Sequence, residues 1–216
     1  MRPGVVRSVD WGAVLLGRIF FVGLSTWVLI VVACLSPSSN AQAQTGGAAA
    51  NDVWGLLKKP GHVMLLRHSN APGSVPESND MDFKNCSIQR NLDQEGRAQA
   101  ARVGDEFRKH KISQVRLFSS QYCRAFDTAK LMRLGPVSPL AILNQVTLLD
   151  ISGMREAGIK GREFIKKIPA KQLTMLISHV TNIQAIADVK LESGEIAIVH
   201  VDPSGAIVID GKITVP

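Results

Sequence analysis

Two arginines and two histidines stand where this chain could do chemistry: Arg67-His68, Arg124 and Ser178-His179. Arginine presents planar, permanent donors that match the oxygens of a phosphoryl group. Each residue alone has an ordinary structural use. An Arg-His pair can be a satisfied surface group, and Arg124 can pair with an acid such as Asp127 on its own helix. Together, at the ends of three expected strands, they describe an anion pocket, because ligands of α/β folds gather beyond the carboxyl ends of the strands. Arg124 gains from its place in the first turn of a helix, where open backbone N–H groups and the helix dipole also favour an anion.

The elements that must position these groups follow from pattern and punctuation. Asp52 to Lys58 reads as a short helix and Pro60-Gly61 as a turn. His62 to Arg67 then reads as a buried strand. Ser69 to Asn85 is polar, with Pro72, Gly73 and Pro76, and reads as a long loop. Asp93 is an N-cap for a helix to about His110, with Ala100, Val103 and Phe107 as its apolar stripe. Val115 to Phe118 is a strand, Ser119-Ser120 a junction, and Tyr122 to Arg133 a helix. Pro136 to Pro139 reads as a connection and Ile142 to Asp150 as a further strand. Gly161 to Lys167 is helical, Leu173 to Ile177 a strand, and Asn182 to Val189 a helix. Glu195 to Val201 and Ala206 to Asp210 form a hairpin around Asp202-Pro203-Ser204-Gly205. Strands alternating with helices imply an α/β sandwich with a mostly parallel sheet and an antiparallel edge.

Four segments in order carry a resemblance: Leu66-Arg67-His68 with Asn70; Arg90 to Ala100; Ser119-Ser120-x-x-x-Arg124-x-x-x-Thr128-Ala129; and Ser178-His179 with Asn182-Ile183. The chain resembles the histidine phosphatase superfamily, also called phosphoglycerate-mutase-like. In particular it is similar to short, exported bacterial members with Arg-His-x-x-Ala-Pro-Gly, here Arg67 to Gly73. The resemblance spans about His62 to Val201. It implies a three-layer α/β/α sandwich, with His68 as the nucleophile that forms a phosphohistidine. Arg67, Asn70, Arg124 and His179 would hold the phosphoryl group or its substrate. No metal and no other cofactor is implied. The surrounding cations should keep His68 neutral, as a nucleophile must be. His62, His110 and His200 match no motif position and read as structural or surface residues. Arg90 is either a residue leading into the helix or an extra phosphate contact, with the structural reading preferred.

Many relatives place a carboxylic general acid between the second arginine and the second histidine. That interval offers Asp150, preferred because it ends an expected strand, and Glu156; Asp150 can equally be a turn or helix cap. Gln121 stands where many members have proline, and Val180-Thr181 replaces the commoner Gln-Val after the histidine. Cys86 lies four residues before Arg90 and Cys123 immediately precedes Arg124. A bridge between them would pin the loop beside the pocket, and that pairing is expected in an oxidising compartment.

Export is expected from the first segment. A basic stretch with Arg2, Arg7 and Arg18 precedes the apolar run Ile19 to Leu35, and Ala41-Gln42-Ala43 completes a signal peptide over residues 1–43. The rivals are lipidation at Cys34 and an uncleaved anchor. Each would put the folded part outside the cytoplasm, periplasmic or secreted. Cleavage leaves a Gly/Ala-rich leader over 44–51 and one domain over 52–216. The formal charge falls from +7 to +5, with no long Lys/Arg run. That balance disfavours nucleic acid and fits a small phosphorylated ligand, with no stable membrane insertion after cleavage. The expected activity is phosphomonoester hydrolysis, a histidine acid phosphatase-type reaction. The rivals are a catalytically silent phospholigand-binding domain and, further off, a phosphomutase.

Overall fold

The apolar run after His62 forms strand β1 (Val63–Arg67), and its alternate residues enter two different cores. A computed structural model describes residues 52–74, 81–148 and 150–216. The segments read as signal peptide and leader lie outside them. Met64 and Leu66 join one apolar cluster, and Val63 and Leu65 the other. The period of two along a strand makes this split unavoidable once both sheet faces are covered.

After β1 come helix α2 (Gln94–Lys109), strand β2 (Arg116–Ser119), helix α3 (Cys123–Met132) and strand β3 (Val137–Pro139). Helix α4 (Ile151–Lys166), strand β4 (Thr174–Ser178), helix α5 (Val180–Ala187) and strands β5 (Ile196–Val201) and β6 (Ile207–Ile213) complete the order. A short helix α1 (Val53–Leu56), capped by Asp52, precedes β1. The six-stranded sheet runs β3-β2-β4-β1-β5-β6. The first four of these strands are parallel, while β5 and β6 form the antiparallel edge. Val103 and Phe107 of α2 and Ala125, Ala129 and Met132 of α3 cover one face. Ile165 of α4 and Ile183 and Ile186 of α5 cover the other. The fold is a three-layer α/β/α sandwich.

Two sequence expectations are corrected. Among the described residues of 142–150 none forms a strand; the edge strand is β3, inside the stretch read as a connection. The backbone of the expected strand bonds to side chains instead of a ladder. Asn182 accepts from Val146 N–H (3.2 Å) and donates to the Asn144 carbonyl (2.7 Å), and Thr181 Oγ1 donates to the Val146 carbonyl (2.7 Å). Helix α4 also begins at Ile151 and not at Gly161. Its glycines conceal it, since glycine weakens a helix by up to about 1 kcal/mol each. Gly158 and Gly161 are used for closeness: a Cβ at either would strike the Ala185 carbonyl or the Ile186 side chain of α5.

Candidate active site

His68 follows the last residue of β1 and is 2 % exposed. Its Nδ1 lies 2.8 Å from the Ser69 carbonyl oxygen. A carbonyl only accepts, so Nδ1 carries the proton and the Nε2 lone pair is left for chemistry. The acceptor that the sequence did not identify is therefore the next residue's own backbone. Burial, chiefly, together with the charges of Arg124, Arg67 and Arg90, pulls His68 down to about 3 from its ordinary 6.5, against the Ser69 bond.

His179 opens α5 at the end of β4, fully buried, with its ring centroid 5.3 Å from that of His68. Arg124 Nη2 donates to His179 Nδ1 at 3.3 Å, so the ring's proton sits on Nε2, which donates to Ser120 Oγ at 2.8 Å. Ser120 Oγ in turn reaches Asn144 Oδ1 at 3.2 Å. Burial first, then His68, Arg124, Arg90 and Arg67, lower the His179 pKa well below its ordinary value.

Arg124 is wholly buried, with its guanidinium 4.5 Å from the Tyr122 ring centroid and also donating to Gln145 Oε1. Arg67 donates through Nη1 to the Leu191 carbonyl at 2.9 Å. Its Nε is buried with no hydrogen-bond partner among the described residues. A buried donor left in that state costs roughly 1–3 kcal/mol, a penalty that an anion would remove.

Arg90, read mainly as structural, belongs to the same charge cluster. Its Nη1 donates to the Ala71 carbonyl at 2.9 Å, and its charge acts on both histidines. Asn70 is a brace on the side facing α2: its side chain donates to Asp93 at 3.1 Å, and its backbone N–H donates to Gln99 at 2.9 Å. A Cβ at Gly96 would strike the Asn70 carbonyl, so the nucleophile's loop rests directly on α2. Gly96→Ala is expected to displace that loop and lower kcat/KM by about 10- to 100-fold with the helix retained. Steady-state kinetics with far-UV circular dichroism check it.

The expected general acids fare differently. Asp150 ends no strand; it is the N-cap of α4, accepting from Gly153 N–H at 2.8 Å and from Ser152 Oγ at 2.9 Å. These bonds, Gly153 first, hold its carboxyl below its ordinary value, which suits a carboxylate and not a proton donor. Glu156 lines a cleft of about 360 Å³ with Phe83, Tyr122, Ile142, Gln145 and Val146. Its carboxylate is paired with Lys160 one turn along α4. The cleft shares Tyr122 and Gln145 with the surroundings of Arg124, so it adjoins the anion pocket.

Cys86 and Cys123 are joined in a disulfide that closes 37 residues of sequence. Beside it, Gln89 Oε1 accepts from Cys123 N–H at 2.9 Å, giving the 83–91 segment a second tie to α3. Chain entropy for a loop of that length makes the bridge worth about 4 kcal/mol. Cys86→Ser/Cys123→Ser should lower the urea midpoint accordingly, measured against the wild type under non-reducing conditions.

Acid should also weaken the fold through the two histidines. The folded protein keeps His68 neutral down to about pH 3, whereas the unfolded chain protonates near 6.5. The unfolded state therefore binds more protons in that window, and stability falls as pH drops through it. Urea midpoints from pH 7 to pH 4 should show that slope, reduced in His179→Asn.

A family model described as the histidine phosphatase superfamily, branch 1, matches residues 63–174, more than half of the chain. A comparison with the curated proteins found no match. Among solved structures, the chain is similar to the protein histidine phosphatase SixA complexed with tungstate. There the identity is 16%, with 71% of this chain and 96% of that one covered, at a TM-score of 0.52. It is also similar to a phosphoserine phosphatase mutant from Entamoeba histolytica in complex with phosphoserine, at 13% identity over 70% and 95% of the chains and a TM-score of 0.53. A mycobacterial glucosyl-3-phosphoglycerate phosphatase matches at 13% identity over 70% and 98%, TM-score 0.50. At such identities the likeness shows a shared fold.

Proposed function

The chain belongs to the histidine phosphatase superfamily, and from that premise we propose that it is an exported phosphatase hydrolysing a small phosphomonoester through a phosphohistidine on His68. The observation that carries this reading is a buried, neutral His68, oriented by the Ser69 carbonyl and set among the charges of Arg67, Arg90 and Arg124. The similar solved structures include phosphatases of phosphoserine and of a sugar phosphoglycerate, which supports a small phosphorylated substrate.

The lone pair of His68 Nε2 attacks phosphorus, the N–P bond forms, and the P–O bond to the leaving group breaks. The positive charge gained by the ring is met by the Ser69 carbonyl at Nδ1. Arginines fixed in a water-poor pocket neutralise the equatorial oxygens, where most of the catalysis of phosphoryl transfer resides. Water then attacks phosphorus, the N–P bond breaks, and inorganic phosphate leaves. An incoming dianion also opposes the cationic surroundings that depress His179. It thus favours a protonated ring, whose Nδ1–H can donate to the phosphoryl group once Arg124 Nη2 turns from Nδ1 to the phosphoryl oxygens. The organic part of the substrate fits the adjoining cleft, whose walls include Phe83, Tyr122, Ile142 and Val146.

Export rests on the N-terminal segment and is supported by the Cys86–Cys123 bridge, since disulfides persist mainly outside the cytoplasm. The direct test of the activity is rapid quenching during turnover of a labelled aryl phosphate. Label that stays on the protein in base and leaves in acid marks an N–P bond. Turnover without any such label would refute the mechanism.

A further inference from the structure

His62, His200 and Asp210 meet at the opposite end of β1 from His68, and we propose that they form a site for a divalent transition-metal ion of the zinc type. Six residue steps of extended chain, through the five residues of β1, lead from His62 to His68, about 20 Å at 3.3 Å per step, so the two sites are distinct. Asp210 Oδ2 is the hub: His200 Nδ1 lies 2.7 Å from it and His62 Nε2 3.4 Å. The three ligand atoms all fall within 4.8 Å of one another.

Local structure prepares each ligand. Asp210 is the extra residue of a β-bulge, for Val199 pairs with Ile209 and Ile198 with Gly211, leaving Asp210 without a ladder partner. Bulges re-aim side chains in this way. His62 Nδ1 lies 3.3 Å from the Lys59 carbonyl. That bond fixes the proton on Nδ1 and turns the Nε2 lone pair toward a carboxylate oxygen. With a single ring proton two acceptors then face each other, and a cation between them, a metal ion or a second ring proton, satisfies both. A backbone carbonyl on the far nitrogen is also the usual support of a metal-bound histidine.

The spacing fits. Two ligands on a tetrahedral ion at about 2.0 Å lie about 3.3 Å apart, close to the His62–Asp210 separation. His200 has to open from Asp210 by about half an ångström, carry its proton on Nε2 and settle at about 3.3 Å from His62, from a separation within 4.8 Å. The side chains are 12 %, 35 % and 21 % exposed for His62, His200 and Asp210, so an ion can enter and water can supply a fourth ligand. Two imidazoles and one carboxylate suit zinc in that geometry. The ion would tie the start of β1 to the β5–β6 edge hairpin, a structural role independent of phosphate chemistry.

The test is a chelator-competition titration of the purified protein with Zn²⁺ alone, in phosphate-free buffer. One equivalent should bind, weakened at least tenfold in Asp210→Asn and in His200→Ala, and Zn²⁺ should raise the Tm of the wild type only. Turnover of an aryl phosphate should be unchanged in Asp210→Asn, which separates this site from the phosphatase reading. If those variants do not fold, imidazole NMR of the wild type decides. Zn²⁺-induced shifts at His62 and His200 support the site, and shifts confined to His68 and His179 overturn it. Absence of stoichiometric binding, or equal binding in the variants, also overturns it.

Discussion

His68→Ala is expected to lower turnover of an aryl phosphate by about 10⁶-fold, the scale on which loss of an activated nucleophile acts. No acid-labile phosphate should then be trapped on the protein. The size follows from the site's construction. The arginines and His179 can still gather a phosphoryl group, but water would have to attack it without a group placed and oriented for attack. The substitution leaves the Ser69 carbonyl without its Nδ1–H partner and opens a small buried void. It also relieves the crowding of a titratable ring among cations. The fold should therefore survive, with a urea midpoint close to the wild type. Hydrolysis undiminished in a folded His68→Ala protein would sink the assignment of the nucleophile. Arg124→Ala is the informative companion. It removes a wholly buried charge that also holds His179, and a loss of 10²- to 10³-fold or more is expected from one missing oxyanion donor.

Much of this architecture was legible in the residues, for reasons that differ from element to element. Helix α2 could be read almost to the residue, because Asp93 is a side-chain cap and Ala100, Val103 and Phe107 keep the helical period. Strands β1, β4 and β5 were legible as apolar runs of strand length. The region between α3 and β4 was not. Ile142, Val146 and Leu148 fall at even spacing on one face, opposite Gln145 and Thr147, like a half-buried strand, yet Asn182 and Thr181 of α5 capture the backbone. That long-range competition has no local signature. The same failure tipped Asp150 toward a general acid over the helix cap it could equally be, and the start of α4 at Ile151 decides for the cap. At the site, motif order singled out Arg67, His68, Arg124 and His179, and the fold brings them together because they sit at strand ends and helix starts. Their supporting partners were hidden. Ser120 and Asn144 orient His179 and Gln145 holds Arg124, across intervals that no spacing rule connects, whereas Arg90 stands in a motif as either a phosphate contact or a structural residue, with the sequence reading weighted toward structure. The paired serines before the Arg124 helix were the one available signal for Ser120.

The leaving group should govern the rate more than any other feature of the substrate. An aryl phosphate should exceed an alkyl phosphate in kcat/KM by about 10²- to 10⁴-fold, the contribution a positioned general acid normally makes. The reason lies in the two carboxylates of α4. Asp150 is engaged by Gly153 and Ser152, and these bonds hold its carboxyl below its ordinary value, which favours the ionised form. Glu156 borders the cleft, but its carboxylate is engaged by Lys160 one turn along α4. An ionised carboxylate cannot give a proton to a departing oxygen. A phenolate can leave without one, whereas an alkoxide, far more basic, cannot leave readily. A series of substituted phenyl phosphates should therefore give a steep dependence of the phosphorylation step on leaving-group pKa. Asp150→Asn and Glu156→Gln should each change kcat on the aryl ester by less than about threefold, since neither carboxylate donates a proton in that reaction. A shallow dependence, with equal rates on aryl and alkyl esters and a large loss in Glu156→Gln, would make Glu156 the acid. The Lys160 ion pair would then have to open when substrate enters the cleft.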